Sequence, residues 1–138
     1  MYLLDTNVIS ELRKGNRMNS GVAQFAISLN ETSGKSYISV ITIGEIRRGV
    51  DEIKHRGDLF QAAMLGKWLQ TVLEDYQENI LDFGSEEAQL WGHLRVPNHE
   101  NAIDKQIAAT ALTNGLTLVT RNIRDFEATG VELLNPFD

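Results

Sequence analysis

The chain has 138 residues, 42% of them apolar, which leaves room for one compact domain with a sizeable core and not for two. It contains no cysteine, so disulfides and thiolate metal sites are excluded. Its formal charge of −6, from 19 acids against 13 Lys and Arg, argues against a broad phosphate-binding face unless bound cations invert the sign locally.

Taken in chain order, Tyr2-Leu3-Leu4 reads as a short strand, and Val8, Ile9 and Leu12 share a helix face. Val22, Phe25, Ala26 and Leu29 have the spacing of an amphipathic helix, and Ser36 to Val40 is rich in aromatic and β-branched residues, a strand. Ile46, Val50 and Ile53 mark a third helix ending near Gly57. Leu65, Trp68, Leu69, Val72 and Tyr76 give the longest helical stripe. Asn79 to Phe83 follows as a third strand, then Ala88, Trp91 and Leu94 as a helix broken before Pro97. Val96 to Asn101 is polar and reads as a loop. Ile107, Ala108, Ala111 and Leu112 face one side of a helix stopped by Asn114-Gly115. Leu116 to Val119 and Val131 to Leu134 complete the strands. No stretch approaches the ~20 apolar residues of a membrane span, and the N-terminus lacks the basic start of a signal peptide. A cytoplasmic protein without membrane contact is the expectation.

Strands alternating with helices predict a central parallel sheet with helices on both faces, a three-layer α/β/α sandwich formed by residues 1–138 as one domain. A site in such a fold lies beyond the carboxyl ends of the strands, and the acids fall there. Asp5 directly follows the first strand. Glu45 lies just past the second, in what the pattern makes the first turn of the third helix. Asp104 sits in the first turn of the helix leading into Leu116–Val119, and Asn122 and Asp125 follow that strand.

Each has a plainer reading. Thr42-x-x-Glu45 fits a capping box with Thr42 as N-cap, Asn101-x-x-Asp104 and Asn122-x-x-Asp125 share its spacing, and Asp5 or Thr6 could cap the first helix. Such caps are worth about 1 kcal/mol each. As a group the acids ask for more, because three or four carboxylates at one sheet edge repel one another unless something positive sits among them. Hard divalent ions such as Mg²⁺ or Mn²⁺ prefer carboxylate and water oxygens. They could activate a water and stabilise the leaving oxygen of a phosphodiester. No competing apparatus is present: the histidines are His55, His93 and His99, and no Gly-rich phosphate loop follows a strand.

The motifs carry a resemblance across essentially the whole chain. Leu3-Leu4-Asp5-Thr6-Asn7-Val8-Ile9-Ser10 resembles the opening motif of PIN domains, and Ile41-Thr42-Ile43-Gly44-Glu45 their second acidic motif. Asp104 to Ala111 resembles the third, and Leu118 to Phe126 the fourth. The resemblance implies a Rossmann-like fold, metal-dependent endoribonuclease activity and kinship with VapC toxins. It also implies a homodimer, a cognate VapB-type antitoxin, and operator DNA bound only through that antitoxin. Asp5, Glu45 and Asp104 match the family's metal-binding acids, while Asn122, where many relatives have aspartate, is expected to hold the site together by a neutral oxygen or a bound water. Asp125, three residues on, is expected to contact a metal or its water, and Thr6 and Thr120 resemble supporting hydroxyls.

Arg47 and Arg48, in the densest basic stretch, and Arg121 and Arg124, beside Asn122, are candidate RNA-gripping residues. For the first pair, a solvated helix face paired with Asp51, Glu52 and Asp58 is an equal alternative. Trp68, Trp91 and Tyr76 read as core before base-stacking platforms. Two other enzyme classes begin with an aspartate after the first strand. A haloacid-dehalogenase-type phosphatase needs a second aspartate where Asn7 stands, and a receiver domain needs an adjacent acid pair. The remaining rival is a PIN-like binding or scaffold module with weak catalysis.

Overall fold

The computed structural model describes all 138 residues. Five parallel strands form one sheet in the order β3-β2-β1-β4-β5: β1 Tyr2–Leu4, β2 Ser36–Ser39, β3 Ile80–Leu81, β4 Thr117–Val119 and β5 Leu133–Leu134. The helices are α1 Thr6–Leu12, α2 Ser20–Glu31, α3 Val40–His55, α4 Leu59–Asp75, α5 Ser85–Leu94, α6 Ala102–Thr113 and α7 Ile123–Phe126. Two short 3₁₀ turns, Gly15–Arg17 and Glu127–Thr129, join elements without an apolar period of their own to announce them.

The central strands are apolar at consecutive positions because both faces of the sheet are covered. Adjacent residues on a strand point to opposite faces, so Leu3 and Leu118 enter one core and Leu4 and Val119 the other. Leu3 and Leu118 pack with Ile107, Ala108, Ala111 and Phe126 from α6 and α7. Leu4 and Val119 pack with Val8, Ile9, Ile46, Leu69 and Val72 from α1, α3 and α4. Removing a side chain such as Leu118 would cost about 2–5 kcal/mol. Trp68 and Tyr76 border the second core, and half-buried Trp91 meets Phe83 edge to face.

Three expectations change. The strands are shorter than expected, as at β3 and β5, which keep only the contiguous apolar pairs Ile80–Leu81, between Asn79 and Asp82, and Leu133–Leu134, after Glu132. Val40 belongs to α3, whose N-cap is Ser39, not Thr42. Ser39 ends β2 in extended conformation and its hydroxyl accepts from Ile41 N at 3.0 Å. Glu45 therefore lies in the second turn, outside any capping box. Asn101 and Asn122 stand at helix starts without a side-chain cap bond, Asn101 in the left-handed region at φ 55°.

Candidate active site

In the order β3-β2-β1-β4-β5 the chain winds outward in both directions from β1 and β4, so the crevice above their carboxyl ends is the topological switch point. Asp5 leaves β1 there and Thr120 leaves β4. The backbone continues the sheet past both: Asp5 N donates to Val119 O at 2.9 Å and Thr120 N to Leu134 O at 2.9 Å.

Asp5 is the buried centre, 4% exposed. One carboxylate oxygen accepts from Thr6 N at 2.8 Å, the plain N-cap role, while the other accepts from Thr120 Oγ1 at 2.8 Å and Asn7 Nδ2 at 3.3 Å. Burial pushes its carboxyl above the ordinary value, against the pull of those bonds. Thr6 Oγ1 donates to Glu45 Oε1 at 2.9 Å, tying α1 to α3. Thr120 Oγ1 accepts from Asn122 N at 3.0 Å and shapes the turn after β4. Both threonines thus hold acids or the backbone beside them.

Glu45 is also raised, by burial first and then by Asp5, with the Thr6 bond and Arg48 opposing. Asp104 is raised furthest, to about 6, by burial and then by Asp5, Asp125 and Glu45 in turn. No cation offsets them there. The acids from four segments therefore share one field. In this conformation no three of them close around a single point at ligand distance.

Mg²⁺ keeps several waters and takes one or two carboxylates directly, so a hydrated ion does not require three acids at one point. The donor set is all oxygen, and the mutual repulsion recorded in Asp104 is what a divalent charge would relieve. A further buried oxygen is unspent: Thr42 Oγ1, one turn before Glu45 on α3, has no hydrogen-bond partner although the residue is fully buried.

Asn122 and Asp125 are exposed at the rim, Asp125 close enough to raise both Asp5 and Asp104. The side-chain amide of Asn122 caps nothing. With Arg121, Ile123, Arg124 and Asn135 they line a hollow of about 420 Å³. Arg47 and Arg48 lie on the outer face of α3, paired with Asp51 and Glu52 at 3.2 and 3.1 Å. That is the solvated-face alternative for these two. The three histidines are all exposed.

Sequence reasoning missed Asn7. Its Nδ2 reaches Asp5 and, at 3.4 Å, Thr120 Oγ1, and its Oδ1 accepts from Arg121 N at 3.1 Å. One amide thus joins the loop after β1 to the loop after β4. The available signal was an amide two places after a strand-end acid, at a helix start where it has no capping duty.

A groove of about 250 Å³ leads away from Thr6 and Glu45 between α1, α3 and α4. Ile46, Val50, Ile53 and Leu65 line it, and at its far end the Arg13 guanidinium lies 5.6 Å from the Trp68 ring.

The chain matches known proteins over nearly their full length. It is 32% identical to VapC ribonuclease Y4jK of Sinorhizobium fredii, across 100% of this chain and 99% of that protein. The crystal structure of FitAcB from Neisseria gonorrhoeae superposes with a TM-score of 0.82 at 33% identity, covering 99% of this chain and 98% of that one. A toxin–antitoxin complex from Klebsiella pneumoniae matches with a TM-score of 0.71 at 25% identity, over 100% and 99% of the two chains. The sequence profile of the PIN domain matches residues 2–132, the span that carries all four acidic segments, and the chain belongs to the PIN domain family.

Proposed function

We propose that this chain is a divalent-metal-dependent endoribonuclease, the toxin of a VapBC-type toxin–antitoxin pair, acting as a single domain in the cytoplasm. The observation that carries the reading is the meeting of Asp5, Glu45, Asp104 and Asp125 at the β1/β4 switch point, with Asp104 raised to about 6 by burial and by the other three. The name VapC ribonuclease on a relative that matches over its whole length supports the substrate class.

Asp5, Glu45 and Asp104, with Asp125 at the rim, are the residues that would hold Mg²⁺ or Mn²⁺. When bound, the ion supplies an activated water and positive charge for the phosphodiester. The chain's own contribution is placement. Thr120, Asn7 and Thr6 N fix both oxygens of Asp5, so that acid is oriented before any ligand arrives. Thr6 does the same for Glu45. Asp104, raised to about 6 by burial and by the other acids, is the carboxylate whose repulsion a bound cation would relieve most. Asn122 offers a neutral amide where a further acid would deepen the repulsion. Arg121 and Arg124 border the hollow beside Asp125 and form no salt bridge, although the Arg121 charge also helps to lower Glu11, and they are the cations suited to RNA phosphates.

The groove from Thr6 and Glu45 towards Trp68 fits an apolar segment of the antitoxin, which would end at the catalytic acids. Operator DNA would be met through that partner. A hollow of about 300 Å³ between α3 and α6, lined by Val40, Ile41 and the exposed Ile103, supports a homodimer contact.

The test is cleavage of total RNA by the purified, antitoxin-free chain with Mg²⁺ or Mn²⁺, beside EDTA and an Asp5→Asn variant. Cutting that needs the metal and disappears in the variant is expected. Cutting that persists in EDTA, or in Asp5→Asn, would refute the assignment.

A further inference from the structure

The residues after β5 turn back over the start of α2 and reach the rim of the site from outside. Asn19 Oδ1 accepts from Gly21 N at 2.9 Å and from Asp138 N at 3.2 Å, and Ser20 Oγ donates to the Asp138 carboxylate. The backbones approach so closely that a Cβ on Gly21 would stand 2.1 Å from Pro136 O. Held in this way, Phe137 presents its ring to Arg121, whose guanidinium carbon lies 5.0 Å from the ring centroid. Asn7 holds the other end of the same residue through Arg121 N. Arg121 forms no salt bridge, feeling only the field of Glu11, whose carboxyl it helps to lower after Lys14 and the Asn19 backbone, and it borders the hollow shared by Asn122, Asp125 and Asn135.

We propose that Asn135–Asp138 form a strap that positions Arg121 to grip an RNA phosphate next to the one cleaved, with Phe137 as the positioning residue. The proposal rests on the ribonuclease reading above. A free arginine surrenders most of its rotamers when it grips a phosphate. One already stacked on a ring has given up part of them in the fold. Stacking uses the face of the guanidinium and leaves the in-plane N–H edge free for a bidentate contact. The contact carries no base information, so it sets affinity and register rather than sequence choice.

The experiment measures binding of a labelled single-stranded oligoribonucleotide pool to the Asp5→Asn chain in Mg²⁺, over a range of salt, with KM and kcat measured in the cleaving background. Phe137→Ala is expected to weaken binding about three- to fivefold and to raise KM with kcat unchanged. Arg121→Ala should weaken binding about tenfold and lower the salt slope by about one. The double variant should bind no more weakly than Arg121→Ala alone, since the ring acts only through the guanidinium. Phe137→Trp should restore binding, and Gly21→Ala, which dislodges the strap from its far end, should reproduce Phe137→Ala.

Parental binding by Phe137→Ala, losses that multiply in the double variant, or full restoration by Phe137→Leu, which packs without a π-face, would each overturn the strap's role. If the parent binds no RNA, the ribonuclease reading fails and takes this proposal with it. With parental binding present, the variants bear on the strap alone.

Discussion

Replacing Asp104 by asparagine should stabilise the metal-free protein at neutral pH. In the fold this carboxyl ionises at about 6, against an ordinary 3.8, because it is half-buried and faces Asp5, Asp125 and Glu45. A group whose folded value is raised favours the fold fully below the unfolded value. That advantage is lost as pH rises through the folded one, here between 3.8 and about 6. At 1.36 kcal/mol per pKa unit the upper bound is about 3 kcal/mol, and screening at a half-exposed group reduces it to roughly 1–2 kcal/mol. For a domain of this size that is about 3–6 °C in Tm. The substituted amide cannot ionise, so in EDTA the Asp104→Asn variant should melt about 3–6 °C above the wild type at neutral pH and level with it near pH 4. Thermal melts followed by circular dichroism across that range are the assay. Added Mg²⁺ or Mn²⁺ should close the neutral-pH gap by stabilising the wild type alone. A gap that does not change with pH, or a variant that is the less stable at neutral pH, would refute the argument that these four acids repel one another.

Two further substitutions probe the groups around the acids. Thr120→Val keeps the shape but strips Asp5 of its hydroxyl donor and Asn122 N of its acceptor. It should cost about 1–3 kcal/mol in urea melts and cut RNA cleavage about tenfold or more, the usual scale for groups that orient a metal ligand; unchanged cleavage would mean that Asp5 needs no such support. Thr42→Val removes the one buried side-chain oxygen without a partner and should stabilise the metal-free chain by about 1 kcal/mol, read as a higher Tm. A lower Tm would show that the hydroxyl holds a water.

The fold was legible because its signal is periodic. Leu3-Leu4 and Leu118-Val119 are apolar at adjacent positions, which only a sheet covered on both faces requires. The acids could be placed without knowing strand order, since every parallel strand ends at the same edge. What failed was local. Thr42 and Glu45 have the spacing of a capping box, yet the strand ends at Ser39, and a serine one turn earlier captures the helix start. Spacing cannot say which of two hydroxyls meets the backbone first. Asn7 and Phe137 were illegible for a related reason: their partners, Thr120 and Arg121, are more than a hundred residues away or across a turn that no period describes. The pairing of Arg47 and Arg48 with acids four residues on was visible as an alternative, and helix geometry realised it.

The central place of β1 has a consequence for synthesis on the ribosome. That strand pairs with β2 on one side and β4 on the other, and Asp5 meets Thr120 across 115 residues of sequence. A nascent chain that has exposed β1, β2 and the first four helices can begin one edge of the sheet but has only half of the crevice. Asp104, the β4 turn and Asp125 emerge last. Translation at about 5–20 residues per second therefore imposes a delay of roughly 6–24 seconds between the first acid and the last, during which the carboxylate cluster is incomplete. The core beneath α1, α3 and α4 waits as well, since Val119 of β4 completes it.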